Sequence, residues 1–437
     1  MTAPRPRTGG ILSDDVPHVS ASSAESWHAR EFESLGERLA YRGIAVEAIV
    51  DSVRKFSVAV PSWAFGTGGT RFGRFPGPGE PRTLSEKMED AAVVHRLTGG
   101  SPRVSLHIPW DVPEDPAALL QQARELGLSF DAVNSNTFQD QADQALSYKL
   151  GSLSHADSAV RDQAVEHNLR VIEIGQALGA DAISIWLADG SNYPGQMSLR
   201  RSFDRLLDSL RQVYDRLPTG WRLFTEHKPY EPAFYATVVQ DWGSSLMLAQ
   251  LLGERAQCLV DLGHHLPNTN IELIVARLLT AGKLGGFHFN DSKYGDDDLT
   301  AGSIKPYGLF LIFHELVLAE RDATPAFNPA YMIDQSHNLK DPIEALLQTV
   351  DQLQIAYAKA SLVDHAVLSV YQESGDVLMA ERTLKEAFET DVRPLVAEAR
   401  RRSGAALDPV LTFRASQYRA QKARERVGAT YVPPRSL

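Results

Sequence analysis

The sequence predicts a (β/α)₈ barrel set between an N-terminal helical segment and a C-terminal helical extension. Three observations predict it. Short β-branched or apolar runs alternate with long amphipathic stretches, the pattern of successive strand–helix units. Eight such runs fall within roughly 280 residues, the size of one barrel. No run is followed by the G-x-G-x-x-G turn that an open dinucleotide-binding sheet would carry.

The elements follow in chain order. The first residues, rich in Pro, Ser, Gly and Asp, read as disordered, and a helix runs from about Ser26 to Tyr41. The first strand is placed at 56–60, and GTGGTRFGRFPGPG at 66–79 follows it. That stretch is too long and too Pro-rich for a phosphate turn; it is either a surface loop or an arm reaching over a site or into a neighbouring subunit. Further strands are placed at 104–108, 129–133, 182–187, 222–225, 257–260, 286–289 and 331–333. Amphipathic helices are expected at 115–126, 156–178, 199–217, 234–252, 271–281 and 309–319. After Asp334 the pattern is helical: 342–370, 377–402 and a basic stretch at 414–426. This exceeds one last barrel helix, and its apolar faces are best buried by clasping the barrel or another subunit. The chain thus divides into an N-terminal tail and helix (1–50), a catalytic barrel (51–340) and a helical extension for oligomerisation (341–437).

Composition narrows the function. The 437 residues carry 44 Lys+Arg against 55 Asp+Glu, a net charge of −11, which argues against a nucleic-acid partner. With 43% hydrophobic and 23% charged residues the chain can build a large core. No run of about 18 apolar residues is present, and MTAPRPRTGG lacks the apolar centre of an export signal, so no membrane partner and a cytoplasmic location are expected. The single cysteine, Cys258, excludes an intrachain disulfide and a zinc–thiolate cluster.

In such barrels reactive residues stand at the C-terminal ends of strands. The first four strands offer Trp63, then His107 and Trp110, then Asn134 and Asn136, then Trp186 and Asp189. The last four are richer: Glu226 and Lys228, Asp261 and His264, His288 and Asp291, Asp334 and His337. One acid or imidazole at a strand end is unremarkable. Glu226, Asp261, His288 and Asp334 on four consecutive strands would converge, and three carboxylates repel unless a divalent cation neutralises them. Oxygen ligands with one imidazole suit Mn²⁺, Mg²⁺ or Co²⁺, with Zn²⁺ a further option. His264 lies three residues past Asp261, too far round to join that group, and with Asp296 and Asp298 of YGDDDL could hold a second ion; alone, that acidic stretch reads as a solvated turn. Trp63, Trp110, Trp186, Phe65 and Phe138 are either core aromatics or a ring that grips the CH faces of an open-chain sugar. Lys228 shares the strand side of Glu226 and is either a salt-bridged structural lysine or a donor to an oxygen where negative charge develops.

Four segments together resemble a known family: FTEHKPYEP around Glu226 and Lys228, VDLGHHLPNTNIE around Asp261 and His264, GGFHFNDSKYGDDDL, and YMIDQSHN. Their order and spacing resemble the metal-dependent aldose–ketose isomerases of the xylose isomerase-like barrels and, within them, the L-rhamnose isomerase group of the pseudomonad type. The resemblance runs from about Trp63 into the C-terminal helices. It implies that Glu226, Asp261, His288 and Asp334 hold a structural metal, with Asp261 bridging. It further implies that His264, Asp296 and Asp298 hold a catalytic metal whose bound water moves the proton between the first two sugar oxygens. Lys228, His107, Trp63, Trp186 and Phe138 are expected to contact the sugar, and Phe72, in the Gly/Pro-rich loop, to enter a neighbour's site. Lys228, His264, Asp296 and Asp334 are the expected catalytic residues.

The implied activity is conversion of L-rhamnose to L-rhamnulose by a 1,2-hydride shift on the opened chain, with other aldoses such as D-allose as further substrates. Two divalent ions per subunit are implied, Mn²⁺ foremost and Co²⁺ or Mg²⁺ as substitutes, in a homotetramer. An enediol route would need a carboxylate base, and Asp334, as a metal ligand, is a poor one. Two rival activities fit the same fold. A ketose 3-epimerase uses one metal and two glutamates, where strand eight here offers Asp334. A metal-dependent DNA-repair phosphodiesterase would want a basic groove, against the net charge of −11.

Overall fold

Inward- and outward-facing residues alternate along each strand, and this decides the architecture. In the strand Ala182–Trp186, Ile183 and Ile185 are buried against the surrounding helices while Ala182 faces the barrel axis. Leu223, Val260, Phe287 and Ile333 point outward in the same way, and Ala59, Ala132, Phe224, Leu259, Ala330 and Met332 fill the interior. A computed structural model describes residues 21–66, 75, 77–141, 144–322, 324, 327–336 and 339–426.

Among the described residues the strands close a parallel barrel. In order they are Ala59–Pro61; Arg103–Ser105 with His107–Ile108; Ser129–Phe130 with Val133–Ser135; Ala182–Trp186; Arg222–Glu226; Ala256–Asp261; Leu284–Phe289; and Ala330–Ile333. The second and third are each interrupted, so that Arg103 pairs with Ser129 and His107 with Asn134. Closure is made by the last strand on the first, Ala59 opposite Met332. The fold is therefore the expected (β/α)₈ barrel.

The helices differ from expectation where loop chemistry intervenes. The helix expected at 234–252 begins only at Trp242, capped by Asp241 accepting from Ser244 N (2.8 Å). Upstream of it Ala236–Thr237 pairs antiparallel with Gly190–Ser191, which suits the β-branched run through Thr237, Val238 and Val239. The stretch 342–370 is two helices, Pro342–Ser361 and His365–Ser374, because Asp364 caps a new start. Likewise 377–402 divides into Val377–Glu389 and Arg393–Arg402, and the basic tail into Pro409–Ala415 and Tyr418–Glu425 around Gln417, whose φ is +57°. Pro394 and Pro409 stand in the first turns of their helices, where a missing N–H costs nothing. The first helix starts at Ala21 rather than Ser26, and Val46–Lys55 and Leu84–Thr98 are helices outside the expected set. Val46–Lys55 also spans the boundary expected at residue 50.

The two terminal segments pack on one another. Arg393–Arg402 lies against both Ala21–Tyr41 and Val46–Lys55, and His28 Nε2 is 2.9 Å from the buried Glu398. Pro342–Ser361 packs on the barrel helices Leu84–Thr98 and Pro306–Arg321. No helix among the described residues is long and apolar enough to cross a membrane.

Candidate metal and sugar site

The interior parity of the last strands continues into the site. Phe224 faces inward, so Glu226 does too; Leu259 places Asp261, and Met332 places Asp334. Register completes the arrangement: Leu259 lies opposite Glu226, Asp261 opposite His288, and His288 opposite Met332. On the four neighbouring strands Asp261 and His288 therefore stand level, Glu226 two residues lower and Asp334 two residues higher.

Glu226, Asp261, His288 and Asp334 each offer a ligand atom, and these atoms lie within 4.8 Å of one another. His288 Nδ1 is 3.1 Å from Glu226 Oε1 and 3.6 Å from both Asp261 Oδ2 and Asp334 Oδ2. Asp261, His264 and Asp296 form a second such group, so the two share Asp261. His264 Nδ1 stands 3.3 Å from Glu226 Oε1 and Nε2 3.4 Å from Asp296 Oδ1. As expected, His264 stands outside the first group and falls in the second with Asp296; His264 N bonds back to Asp261 O (3.2 Å), and the tight turn brings the imidazole close beside the first group.

Neighbours aim these side chains. Gly263 N (2.7 Å) and Asn290 Nδ2 (2.9 Å) donate to Asp261 Oδ1. Trp63 Nε1 donates to Asp334 Oδ1 at 2.8 Å. Among the described residues, Asp261 Oδ2 and His264 Nδ1 are buried yet form no hydrogen bond. Buried polar atoms are rarely left so, and a cation held between them would satisfy both. The donor set, three carboxylates and one imidazole, then two carboxylates and one imidazole, fits Mn²⁺, Co²⁺ or Mg²⁺.

The electrostatics agree with that reading. Burial raises Asp334, partly opposed by His288 and reinforced by Asp261 and Glu226, to about 7. Burial lowers His264 and His288, but the surrounding carboxylates outweigh it and raise them to about 9 and about 10. Protons thus stand in for positive charge that the acids demand.

The remaining expected residues fall as follows. Lys228 Nζ donates to Asp296 Oδ2 (2.6 Å) and Glu231 Oε2 (3.0 Å) and lies over the Trp186 ring, 4.7 Å from its centroid. Glu231 was not anticipated, although its position three residues past Lys228 is a spacing at which opposite charges meet. Asp298 lines the same cavity but is outside the three-residue group; its Oδ2 accepts from Ser336 Oγ at 2.8 Å. His107 stacks on Trp110, rings 3.9 Å apart, and burial lowers it to about 4. The Asn136 side-chain amide nitrogen lies 3.1 Å from its Nδ1 and 3.4 Å from its Nε2 and holds the ring in place. Asp291 turns away: it accepts from Ile304 N and Lys305 N and builds the loop. Phe72 and His337 lie outside the described residues.

A cavity of about 180 Å³ opens over the site. It is lined on one side by Glu226, His264, His288, Asp296 and Asp334, with Asp261 fully buried beside them, and on the other by Trp63, Trp110, Phe138 and Trp186, the Phe138 and Trp186 rings 4.7 Å apart. The site can hold cations on one side and apolar CH groups on the other.

Comparison with known proteins agrees with the fold. Residues 94–318 match the family model described as xylose isomerase-like TIM barrel. Probable sugar isomerases of Mesorhizobium japonicum and Rhizobium meliloti are each 58% identical, the first over 96% of this chain and 97% of its own length, the second over 95% and 97%. Among solved structures, an L-ribulose 3-epimerase superposes with a TM-score of 0.52 at 18% identity, over 71% of this chain and 98% of its own, a likeness of fold. By its sequence match and its closed barrel, the chain belongs to the xylose isomerase-like TIM barrel family.

Proposed function

We propose that this chain is a cation-dependent aldose–ketose isomerase, with L-rhamnose to L-rhamnulose as its preferred reaction and D-allose among further substrates. One observation carries the reading: two ligand groups sharing the buried Asp261, with their other members lining a cavity whose opposite wall is aromatic. The near-full-length relatives named as probable sugar isomerases support it. Glu226, Asp261, His288 and Asp334 would hold one ion, and His264 and Asp296 with Asp261 the other, with Asp298 the remaining candidate ligand beside them. Mn²⁺ is the ion proposed, with Co²⁺ or Mg²⁺ as substitutes. Bound there, divalent ions would supply Lewis acidity to the oxygens of the opened sugar.

The chain's own residues prepare the rest. Trp63, Trp110, Phe138 and Trp186 exclude water from the reacting carbons and take the sugar's CH faces. His107, held by burial as a neutral imidazole at pH 7, offers a sugar oxygen a hydrogen-bond partner without adding charge. Lys228, fixed between Asp296 and Glu231, places an ammonium where negative charge develops on the sugar. A ketose 3-epimerase with one metal and two glutamates is the second reading; strand eight offers Asp334 where it would want a glutamate, and the second group of Asp261, His264 and Asp296 favours the isomerase.

The test is metal-stripped protein, with and without Mn²⁺, given L-rhamnose in D₂O and followed by NMR. L-Rhamnulose formed only with Mn²⁺ and without deuterium at C1 is expected. Ketose carrying deuterium would replace the hydride shift with proton transfer. No conversion of L-rhamnose or of an aldose panel would overturn the isomerase reading.

A further inference from the structure

Asp189 follows the fourth strand closely and stands outside both ligand groups. Its buried carboxylate is filled by donors from the segment at 152–154. Oδ1 accepts from Ser152 N and Ser152 Oγ, both at 2.8 Å, and Oδ2 from Ser154 N at 2.8 Å and Ser154 Oγ at 2.7 Å. One branch of this cradle runs on toward the cavity. Ser152 Oγ lies 2.6 Å from Thr137 Oγ1, and both hydroxyls are buried. A carboxylate only accepts, so the Ser152 proton is committed to Asp189 and Thr137 donates to Ser152.

Thr137 stands between two residues that serve the cavity. Asn136 holds the His107 ring, and the Phe138 ring lies 4.7 Å from that of Trp186 and 6.4 Å from that of Trp110. Phe138 is only half-buried and also borders an open groove with Asp140 and Asn192, so packing does not enclose its ring. Among the described residues neither Thr137 nor Phe138 makes a backbone–backbone hydrogen bond, which leaves the Thr137 hydroxyl as the polar tie at this point. The links close on themselves. The chain joins Trp186 to Asp189, hydrogen bonds join Asp189 to Ser152 and Ser152 to Thr137, and Phe138, next in sequence, returns to Trp186. A fully satisfied buried network of this kind holds its members in one arrangement.

We propose that Asp189 is a positioning residue of the sugar site, acting through Ser152 and Thr137 to set Phe138 against Trp186 and Asn136 against His107. It rests on the reading of the aromatic-walled cavity as the place of the sugar. No member of this relay belongs to either ligand group, so sugar affinity should change while cation affinity does not. The experiment compares wild type with Thr137→Val, Asp189→Asn and Ser154→Ala in the full chain loaded with Mn²⁺. Thr137→Val keeps the side chain's shape and removes the last hydrogen bond of the relay. Ser154→Ala is the control: it takes a hydroxyl from the same carboxylate on the branch that does not reach Thr137. The readouts are KM and kcat for L-rhamnose, the Mn²⁺ dissociation constant by calorimetry, and acrylamide quenching of Trp186 fluorescence, isolated by difference from Trp186→Phe in each background. Thr137→Val and Asp189→Asn should raise KM about fivefold with kcat and the Mn²⁺ constant within about twofold of wild type, and Trp186 should be quenched more readily. Ser154→Ala should match wild type in all of these. If Asp189→Asn does not fold, Thr137→Val decides alone. An unchanged KM in Thr137→Val, or the same rise in Ser154→Ala, overturns the proposal. A wild type that converts no sugar would defeat the isomerase reading instead, and Trp186 quenching would still decide the role of the relay: greater in Thr137→Val than in Ser154→Ala supports it, and equal in the two overturns it.

Discussion

Asp261 carries two unequal oxygens. Oδ1 accepts from Gly263 N and Asn290 Nδ2, whereas Oδ2 is buried with no hydrogen bond and 3.6 Å from His288 Nδ1. The histidines beside it translate that demand for positive charge into pH dependence. An unfolded imidazole titrates near ~6.5; in the fold, carboxylates acting against burial raise His264 to about 9 and His288 to about 10. A raised folded value means that the metal-free protein draws stability from these protons fully below pH ~6.5 and loses it as pH rises through 9 to 10. Ligation requires the neutral ring, so at pH 8 Mn²⁺ must displace the protons. Calorimetry in two buffers of different ionisation enthalpy should show release of about one to two protons per chain, with affinity rising from pH 6 to 9. Zero release at pH 8 would contradict the electrostatic account.

At the scale of strands and loops, what was legible in the sequence is what strand parity dictates. Glu226, Asp261, His288 and Asp334 could be named because each ends an apolar run, and parallel pairing in register carries their side chains inward together. Loop-borne groups escape that logic. Glu231 reaches Lys228 from a loop residue with φ of +69°, Ser336 reaches Asp298 across two connections, and His264 swings beside Glu226 through a turn that no periodicity encodes. The helix expected over 234–252 failed for a related reason: the Thr237 region found a strand partner far away at Gly190–Ser191. Among the strands, Gly286 is the position where packing and chemistry meet. A Cβ there would lie 2.5 Å from Ala330 O, two residues below the His288–Met332 pair. Gly286→Ala is expected to push the seventh and eighth strands apart, lowering stability by about 1–3 kcal/mol. Thermal denaturation with and without Mn²⁺ should show a lower Tm and a smaller rise on adding the ion, because His288 and Asp334 separate. A variant with wild-type Tm and wild-type Mn²⁺ response would show that the contact is relieved without moving the ligands.

For the whole molecule, the extension that the sequence marks as too long for a barrel helix is used in two ways within one chain. Arg393–Arg402 packs against the N-terminal helices, and Tyr418–Glu425 with Arg426 reaches back to Asp90 and Gly79 on the barrel. Val370, Val377 and Leu378 on the same extension remain exposed, at 62, 77 and 72%. Such apolar positions suit the tetramer that the family resemblance implies, and light scattering should return a tetramer mass where a monomer would contradict it. Strands and loops bring together two groups of candidate cation ligands that share one carboxylate, Asp261. The most direct test of this sharing is a Mn²⁺ titration of the metal-stripped chain beside His264→Ala and Asp261→Asn. Two ions per chain in the wild type, one in His264→Ala, and weakened binding of both in Asp261→Asn are predicted. One ion per chain in the wild type and in His264→Ala alike would contradict the shared site.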